Sequence, residues 1–245
     1  MTKKTNQSSI PNHISIIMDG NRRWAKRQGL KIFVGHQKVA REGIEKLADH
    51  CIAKGIKYLT LWAFSTENWN RDDKEVKVIM HLFQEAFATS AQRLHKKGVK
   101  IKVIGDMSRF ADEIQKNTQH WLQETAKNTK LTVTFALNYG GRDEIVRAVN
   151  KVIKDVLARK RQVFKKKTPI TINEKIFASY LDTAQLPDPD MIIRPGGEKR
   201  MSGFLPWQSV YSEYYFTDVL MPDFDEKQLD KALEEFARRQ RRFGR

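Results

Sequence analysis

Two apolar rhythms alternate along this chain, and their alternation restricts the fold more than any other feature. Strand-like runs occur at "ISIIM" (14–18), "KYLTLWAF" (57–64), "VKIKVIG" (99–105), "LTVTFALN" (131–138), "MIIR" (191–194) and "YYF" (214–216). Between most of them the apolar residues recur at helical spacing. Over 36–54 these are Ala40, Ile44, Leu47, Ala48 and Cys51; over 75–95 they include Val76, Ile79, Met80, Phe83, Phe87, Ala91 and Leu94. Residues 142–158 repeat the pattern with Ile145, Val149, Val152, Val156 and Leu157. Strand and helix in turn predict an α/β fold, a mostly parallel sheet covered by helices. No internal repeat or linker interrupts it, so the reading is one domain over 13–245, preceded by a flexible polar tail at 1–12.

Charge narrows the partners. Forty-five Lys and Arg against 29 Asp and Glu leave a formal net charge of +16. Such a surface attracts phosphates, diphosphates, nucleic acid or an anionic membrane face, and charge alone does not choose among them. The single cysteine, Cys51, excludes an internal disulfide and suits a reducing compartment. No run approaches the ~18 apolar residues needed to span a bilayer, and "MTKKTNQSSIPNH" lacks the apolar stretch of a signal peptide. The expectation is a cytoplasmic protein, with peripheral contact at the inner membrane face. A basic run, "ARKRQVFKKKTP" (158–169), reads as a solvated loop after a long helix, and no nucleic-acid-binding module surrounds it.

In an open parallel sheet, ligands bind beyond the carboxyl ends of the strands. The first strand is followed by Asp19, Gly20, Asn21, Arg22 and Arg23; the second by Ser65, Glu67, Asn68 and Arg71. After 131–138 come Gly140, Gly141 and Arg142, and after 191–194 come Gly196, Gly197, Arg200 and Ser202 beside Arg194. Glycine lets backbone N–H groups approach an anion, and arginine offers a fork matched to phosphate oxygens. Singly, each is an ordinary turn; Trp24 and Trp69 would by default pack, and His36 would cap a helix or face solvent. Their convergence on one edge of one sheet points to phosphate chemistry. A carboxylate among such arginines repels the ligand unless a cation mediates, and Mg²⁺ prefers one or two carboxylates with phosphate oxygens and water. Asp19 is therefore the expected Mg²⁺ ligand; the plainer alternative is a turn residue paired to Arg22 or Arg23.

"HISIIMDGNRRWA", "GH" at 35–36, "AFSTENWNR", "LNYGGRDEIV", "DMIIRPGGEKRMSGFLPWQ" and "YSEYYFTDVLMPDF" together resemble the successive motifs of the cis-prenyltransferases, from about residue 13 to the end. The resemblance implies a homodimer whose subunits each hold a six-stranded, mostly parallel sheet. It implies successive condensation of isopentenyl diphosphate onto an allylic primer, usually farnesyl diphosphate, each new double bond cis. By position, Asp19 resembles the catalytic, magnesium-binding aspartate, and Gly20, Asn21, Arg23 and His36 the surroundings of the allylic diphosphate, with Arg22, Trp24 and Lys31 adjoining. Ser65, Thr66, Glu67, Asn68, Trp69 and Arg71 resemble the motif that positions substrates near the reacting centre, Asn68 in a catalytic place. Arg194, Arg200 and Ser202 resemble the isopentenyl diphosphate site, and Glu213 a second acid for magnesium. Arg242 and Gly244, in "RFG", resemble an element that reaches across the dimer. An apolar tunnel for the growing chain would involve Ala40, Ile44, Leu47, Ile79, Phe83 and Phe87.

The chain departs from that pattern at Ile32, where the family usually has arginine, so Lys31 or Arg22 would have to supply the missing cation. Val39, Asp72, Pro195, Gly203 and Pro206 are further departures. The rival readings are a non-catalytic scaffold of the same fold, a nucleic-acid binder and a phosphohydrolase using Asp19 as nucleophile. Retention of Asp19, Asn68, Arg194, Arg200 and Glu213 favours catalysis, and no nucleic-acid partner is expected.

Overall fold

The computed structural model describes residues 10–85, 89–162 and 171–239. Six strands form one sheet: β1 (His13–Ile17), β2 (Tyr58–Ser65), β3 (Val99–Ile104), β4 (Leu131–Tyr139), β5 (Met191–Pro195) and β6 (Glu213–Thr217). Their order is β3-β4-β2-β1-β5-β6, and every pairing is parallel. The chain leaves β1 toward β2 on one side and returns to its other side with β5. That reversal opens a crevice at the carboxyl ends of the central strands.

All five residues of β1 are buried, as are those of β5, which is why these segments read as nearly continuous apolar runs. One face packs Ile14, Ile16, Leu59, Leu61, Ile101, Val133 and Ile193 beneath the helices. The other holds Ile17, Ile104, Ala136 and Ile192 with Phe204 and Leu205, and Trp62 stacks on Phe204 at 4.9 Å. On this second face His13 lies buried: Pro187 O accepts from Nδ1 at 2.7 Å, so Nε2 accepts from Thr60 Oγ1 at 2.8 Å. Burial is the main cause that lowers its pKa to about 4, with the Pro187 carbonyl opposing.

The helices are α1 (Asn21–Arg27), α2 (Phe33–Lys38), α3 (Ile44–Ala53), α4 (Asp73–Glu85), α5 (Ala91–Lys96), α6 (Asp112–Glu124), α7 (Gly141–Gln162), α8 (Glu174–Ala178) and α9 (Glu226–Arg238). The helical stretch expected at 36–54 is broken by a π-turn at Val39–Gly43, which separates α2 from α3. The stretch expected at 75–95 comprises α4 and α5, with 86–88, including Phe87, outside the described residues. α7 runs on to Gln162, so the first part of the expected basic loop is helix; 163–170 lie outside the described residues. α9 buries Leu229, Ala232, Leu233 and Phe236, and its Asp230 pairs with His50 and Lys54 at the end of α3. Of the expected tail, residues 1–9 lie outside the described residues, while Asn12 is tied to the sheet: its carbonyl accepts from Lys57 N and its N–H donates to Asp190 Oδ2.

Candidate active site

β1 ends two residues before Asp19, and the chain must then turn sharply into α1. Gly20 makes the turn at φ +100°, where a Cβ would also lie 2.9 Å from Leu220 Cδ2 and 3.1 Å from its Cα. The Met221 N–H donates to the Asp19 carbonyl at 3.0 Å, so the segment after β6 clamps the acid from behind. The Asp19 carboxylate is thereby fixed at the crevice, its side chain 30% exposed. Oδ1 accepts from the Gly20 N–H at 2.6 Å and faces Arg23 Nη2 at 3.2 Å; Oδ2 accepts from Arg194 Nη2 at 3.0 Å. The ion pair with Arg23 anticipated from sequence forms; Arg22 instead faces Glu75, at 3.5 Å.

Arg194 rises from β5 and is buried. Its Nη1 donates to Ser202 Oγ at 2.9 Å and to the Arg200 carbonyl, which holds the following loop over the crevice. Gly196, at φ +101°, has no Cβ, and one would sit 2.8 Å from Arg23 Nη2; the bare backbone is what lets that guanidinium approach. Arg200 donates to Glu198 at 2.5 Å, and Glu198 also lies 3.8 Å from Arg23. The same loop is anchored beneath by buried Glu144, which accepts from Tyr139 Oη, Gln208 Nε2 and the Asp182 N–H; burial raises its pKa.

Across the crevice, the Asn68 side chain accepts from the Ser65 N–H at 3.0 Å, which fixes the turn after β2. Arg71 donates to Glu75 Oε1 at 2.8 Å, so Glu75 stands between Arg71 and Arg22. His36 is neutral at pH 7: burial first, then the charges of Arg71 and Arg22, lower its pKa to about 4. Among the described residues, His36 Nε2, Asn21 Oδ1 and Arg194 Nε are buried without hydrogen-bond partners. A protein seldom leaves buried polar atoms unpaired, and a cluster of them beside a cavity points to a polar ligand.

The cavity has a volume of about 380 Å³. Asp19, Asn21, His36, Asn68, Arg71, Arg194, Arg200 and Ser202 line its mouth, with Ser65; deeper in, it is walled by Ile44, Ile79, Leu82, Phe83, Leu94 and Phe135. Of the residues expected along an apolar tunnel, Ala40, Ile44, Ile79 and Phe83 border this cavity, whereas Leu47 belongs to the core. An outer recess, shared with Asp19, His36 and Arg71, is bordered by Gly20, Arg22, Arg23 and Ile32.

Other expected site residues lie elsewhere. Trp24 donates from Nε1 to Asp223 at 2.8 Å with Lys38 over its ring, and Trp69 donates to Asn138 while packing edge-on to Phe64 and Phe110. Thr66 packs against Gly140, and Glu67 and Lys31 are exposed away from the cavity lining. Glu213 starts β6, in register with Met191, itself paired with Ile14, five residues before Asp19. At ~3.3 Å per residue this puts Glu213 roughly 15 Å along the strands from Asp19; it pairs there with Arg239. Within one chain the two acids do not meet. Arg242 and Gly244 lie outside the described residues. Sequence reasoning missed Glu75 and Glu198; the i,i+4 spacing of Arg71 and Glu75 on a helix start was the available signal.

A family model described as putative undecaprenyl diphosphate synthase matches residues 17–244. A protein named isoprenyl transferase from Clostridium perfringens is 45% identical over 238 residues, 97% of this chain and 91% of its own length. One of the same name from Streptococcus thermophilus is 46% identical over 250 residues, covering 99% and 97%. Among solved structures, lavandulyl diphosphate synthase from Lavandula x intermedia, in complex with dimethylallyl diphosphate, matches with a TM-score of 0.89 at 34% identity, covering 98% of this chain and 100% of that one. A probable undecaprenyl diphosphate synthase from Campylobacter jejuni matches at 0.77 and 32% identity, covering 96% and 99%. Likeness that runs almost end to end makes the chain a member of the undecaprenyl diphosphate synthase family of isoprenyl transferases, a prenyl-transferring enzyme.

Proposed function

We propose that the enzyme condenses isopentenyl diphosphate successively onto an allylic diphosphate, farnesyl diphosphate being the primer, with Mg²⁺ present. The product is a long Z-polyprenyl diphosphate of the undecaprenyl kind, a lipid carrier for cell-wall synthesis. One observation carries the reading: the Asp19 carboxylate stands between Arg23 and Arg194 at the mouth of a cavity that turns apolar with depth. Cationic groups at the mouth suit diphosphates, and the apolar end suits hydrocarbon.

In this reading Asn21, Arg23, His36 and Arg71 bind the allylic diphosphate, and Arg194, Arg200 and Ser202 bind the isopentenyl diphosphate. The allylic C–O bond breaks toward the diphosphate; the isopentenyl double bond attacks the cation-like carbon, and a proton then leaves the new chain. Its acceptor is a diphosphate oxygen or a group held near Asn68. Guanidinium and N–H donors already in position stabilise the leaving group as its charge grows. Magnesium fits as an ion shared with substrate. Among the described residues no three acid, histidine or cysteine side chains gather into a metal site, and one carboxylate with phosphate oxygens is a usual magnesium set. Asp19 would hold it, and when bound the ion neutralises charge on the departing diphosphate.

Two subunits are proposed to pair through α7, where Val146, Val149, Ile153 and Leu157 are exposed at helical spacing. Among the described residues no helix is long and apolar enough to cross a membrane. The proposed setting is the cytoplasm, at the inner membrane face where the product is used. The test is incorporation of radiolabelled isopentenyl diphosphate into butanol-extractable lipid with farnesyl diphosphate and Mg²⁺, products sized by reversed-phase chromatography. Asp19→Ala should lower turnover roughly 10²–10³-fold. A folded parent protein that incorporates nothing leaves the scaffold reading in its place.

A further inference from the structure

The turn between α1 and α2 projects apolar side chains from a strongly basic segment. α1 closes with a Schellman arrangement: the Leu30 N–H donates to Ala25 O at 2.9 Å and the Gly29 N–H to Lys26 O at 3.2 Å, with Gly29 at φ +67°. That motif normally tucks the residue after the glycine against the helix side chain five positions back. Here that partner is an alanine, buried and too small to cover a leucine, so Leu30 remains 45% exposed. Ile32 is exposed to the same degree, with exposed Lys31 between them. Those two bonds fix the turn while its apolar groups face outward.

The segment's own charges are of one sign. From Gly20 to Arg41 there are seven Lys and Arg and not one Asp or Glu. Arg22, Arg23, Lys38 and Arg41 reach carboxylates outside that stretch, Asp19 just before it among them, whereas Lys26, Arg27 and Lys31 pair with none among the described residues. The exposed stripe on α7 differs, because acids such as Asp143 and Asp155 are interspersed along that helix. An apolar tip ringed by unpaired cations complements a surface with anionic headgroups over an apolar interior, which neither nucleic acid nor a like-charged second copy offers. Lys26, Leu30 and Ile32 also border the recess that contains Asp19 and His36, so the tip is the rim of the active-site mouth.

We propose that the α1–α2 turn docks the enzyme on an anionic bilayer. Leu30 and Ile32 enter the headgroup boundary, Lys26, Arg27 and Lys31 lie over the anionic headgroups, and the mouth of the cavity opens at the lipid surface. The purpose of the contact rests on the proposed lipid product; the contact itself needs no substrate.

The test is co-sedimentation of the full chain with vesicles of phosphatidylcholine, with and without phosphatidylglycerol, at low and high salt. The parent protein should bind the anionic vesicles, release with salt and leave neutral vesicles alone. Leu30→Ser and Arg27→Glu should each weaken binding roughly tenfold. Lys154→Glu, the same charge change on α7, should leave it near the parent value. Both tip variants should keep the parent's thermal melt, and Arg27→Glu, which does not border the recess, should also keep its prenyl transfer on detergent-dispersed substrate. Parent protein that ignores anionic vesicles, or tip variants that bind as the parent does, overturns the docking proposal. Vesicle binding as described by a protein without prenyl transfer overturns only the reading of function.

Discussion

Gly20 shows how one residue governs the carboxylate proposed as catalytic. It supplies a left-handed turn that a side chain strains, and it leaves room for Leu220, whose segment hydrogen-bonds back to Asp19. Gly20→Ala should therefore cost about 1–3 kcal/mol in urea unfolding, since a non-glycine residue would be forced into a sparsely populated conformation. Turnover should fall as well, because the displaced atoms hold Asp19. An alanine variant as stable as the parent would mean that the turn relaxes freely. The position of Asp19 at the crevice was legible in the sequence: a lone acid after an apolar run, followed by glycine and arginines. Its partnership with Arg194 was legible only through the rule of strand ends, since the two are 175 positions apart in the chain.

At the scale of elements, strand positions were the most readable part. Buried parallel strands advertise themselves as short β-branched runs, and all six segments formed strands within a few residues of expectation. Helices were less faithful. The apolar spacing of 36–54 persists through a π-turn that no residue type in the segment announces. Trp69 matched a functional motif and yet packs away from the cavity, because a motif constrains a loop as well as its ligand. Glu213 resembles a second acid for magnesium, and β6, being parallel, sets it within one chain at the opposite end of the sheet from Asp19. Between β1 and β2, His13 makes a prediction of its own. Its pKa is about 4 in the fold against an ordinary 6.5, so the unfolded chain takes up the proton first. Stability is whole above pH 6.5 and declines as pH falls toward 4, by roughly 3 kcal/mol for this residue and about as much again for His36. Urea midpoints measured across that interval should drop, and less steeply in His13→Gln. A flat parent profile would show that the imidazole is solvated.

For the whole molecule, the question is how a chain of +16 associates with itself. Self-repulsion opposes pairing, so a dimer needs an apolar seam strong enough to overcome it. The stripe of Val146, Val149, Ile153 and Leu157 on α7 is the candidate. Size-exclusion chromatography with light scattering should give twice the chain mass for the parent and a single mass for Val149→Asp combined with Ile153→Asp. A monomeric parent would send the search for the stripe's occupant elsewhere.

The arginines at the mouth are not vacant. Arg23 and Arg194 rest on Asp19, Arg200 on Glu198, and Arg71 and Arg22 on Glu75. Any anion that enters must outbid an incumbent carboxylate, and a singly charged visitor has little advantage over one. The resting contacts thus act as a threshold, which sets multiply charged pyrophosphoryl groups apart from the cell's abundant monoanions before hydrocarbon recognition begins.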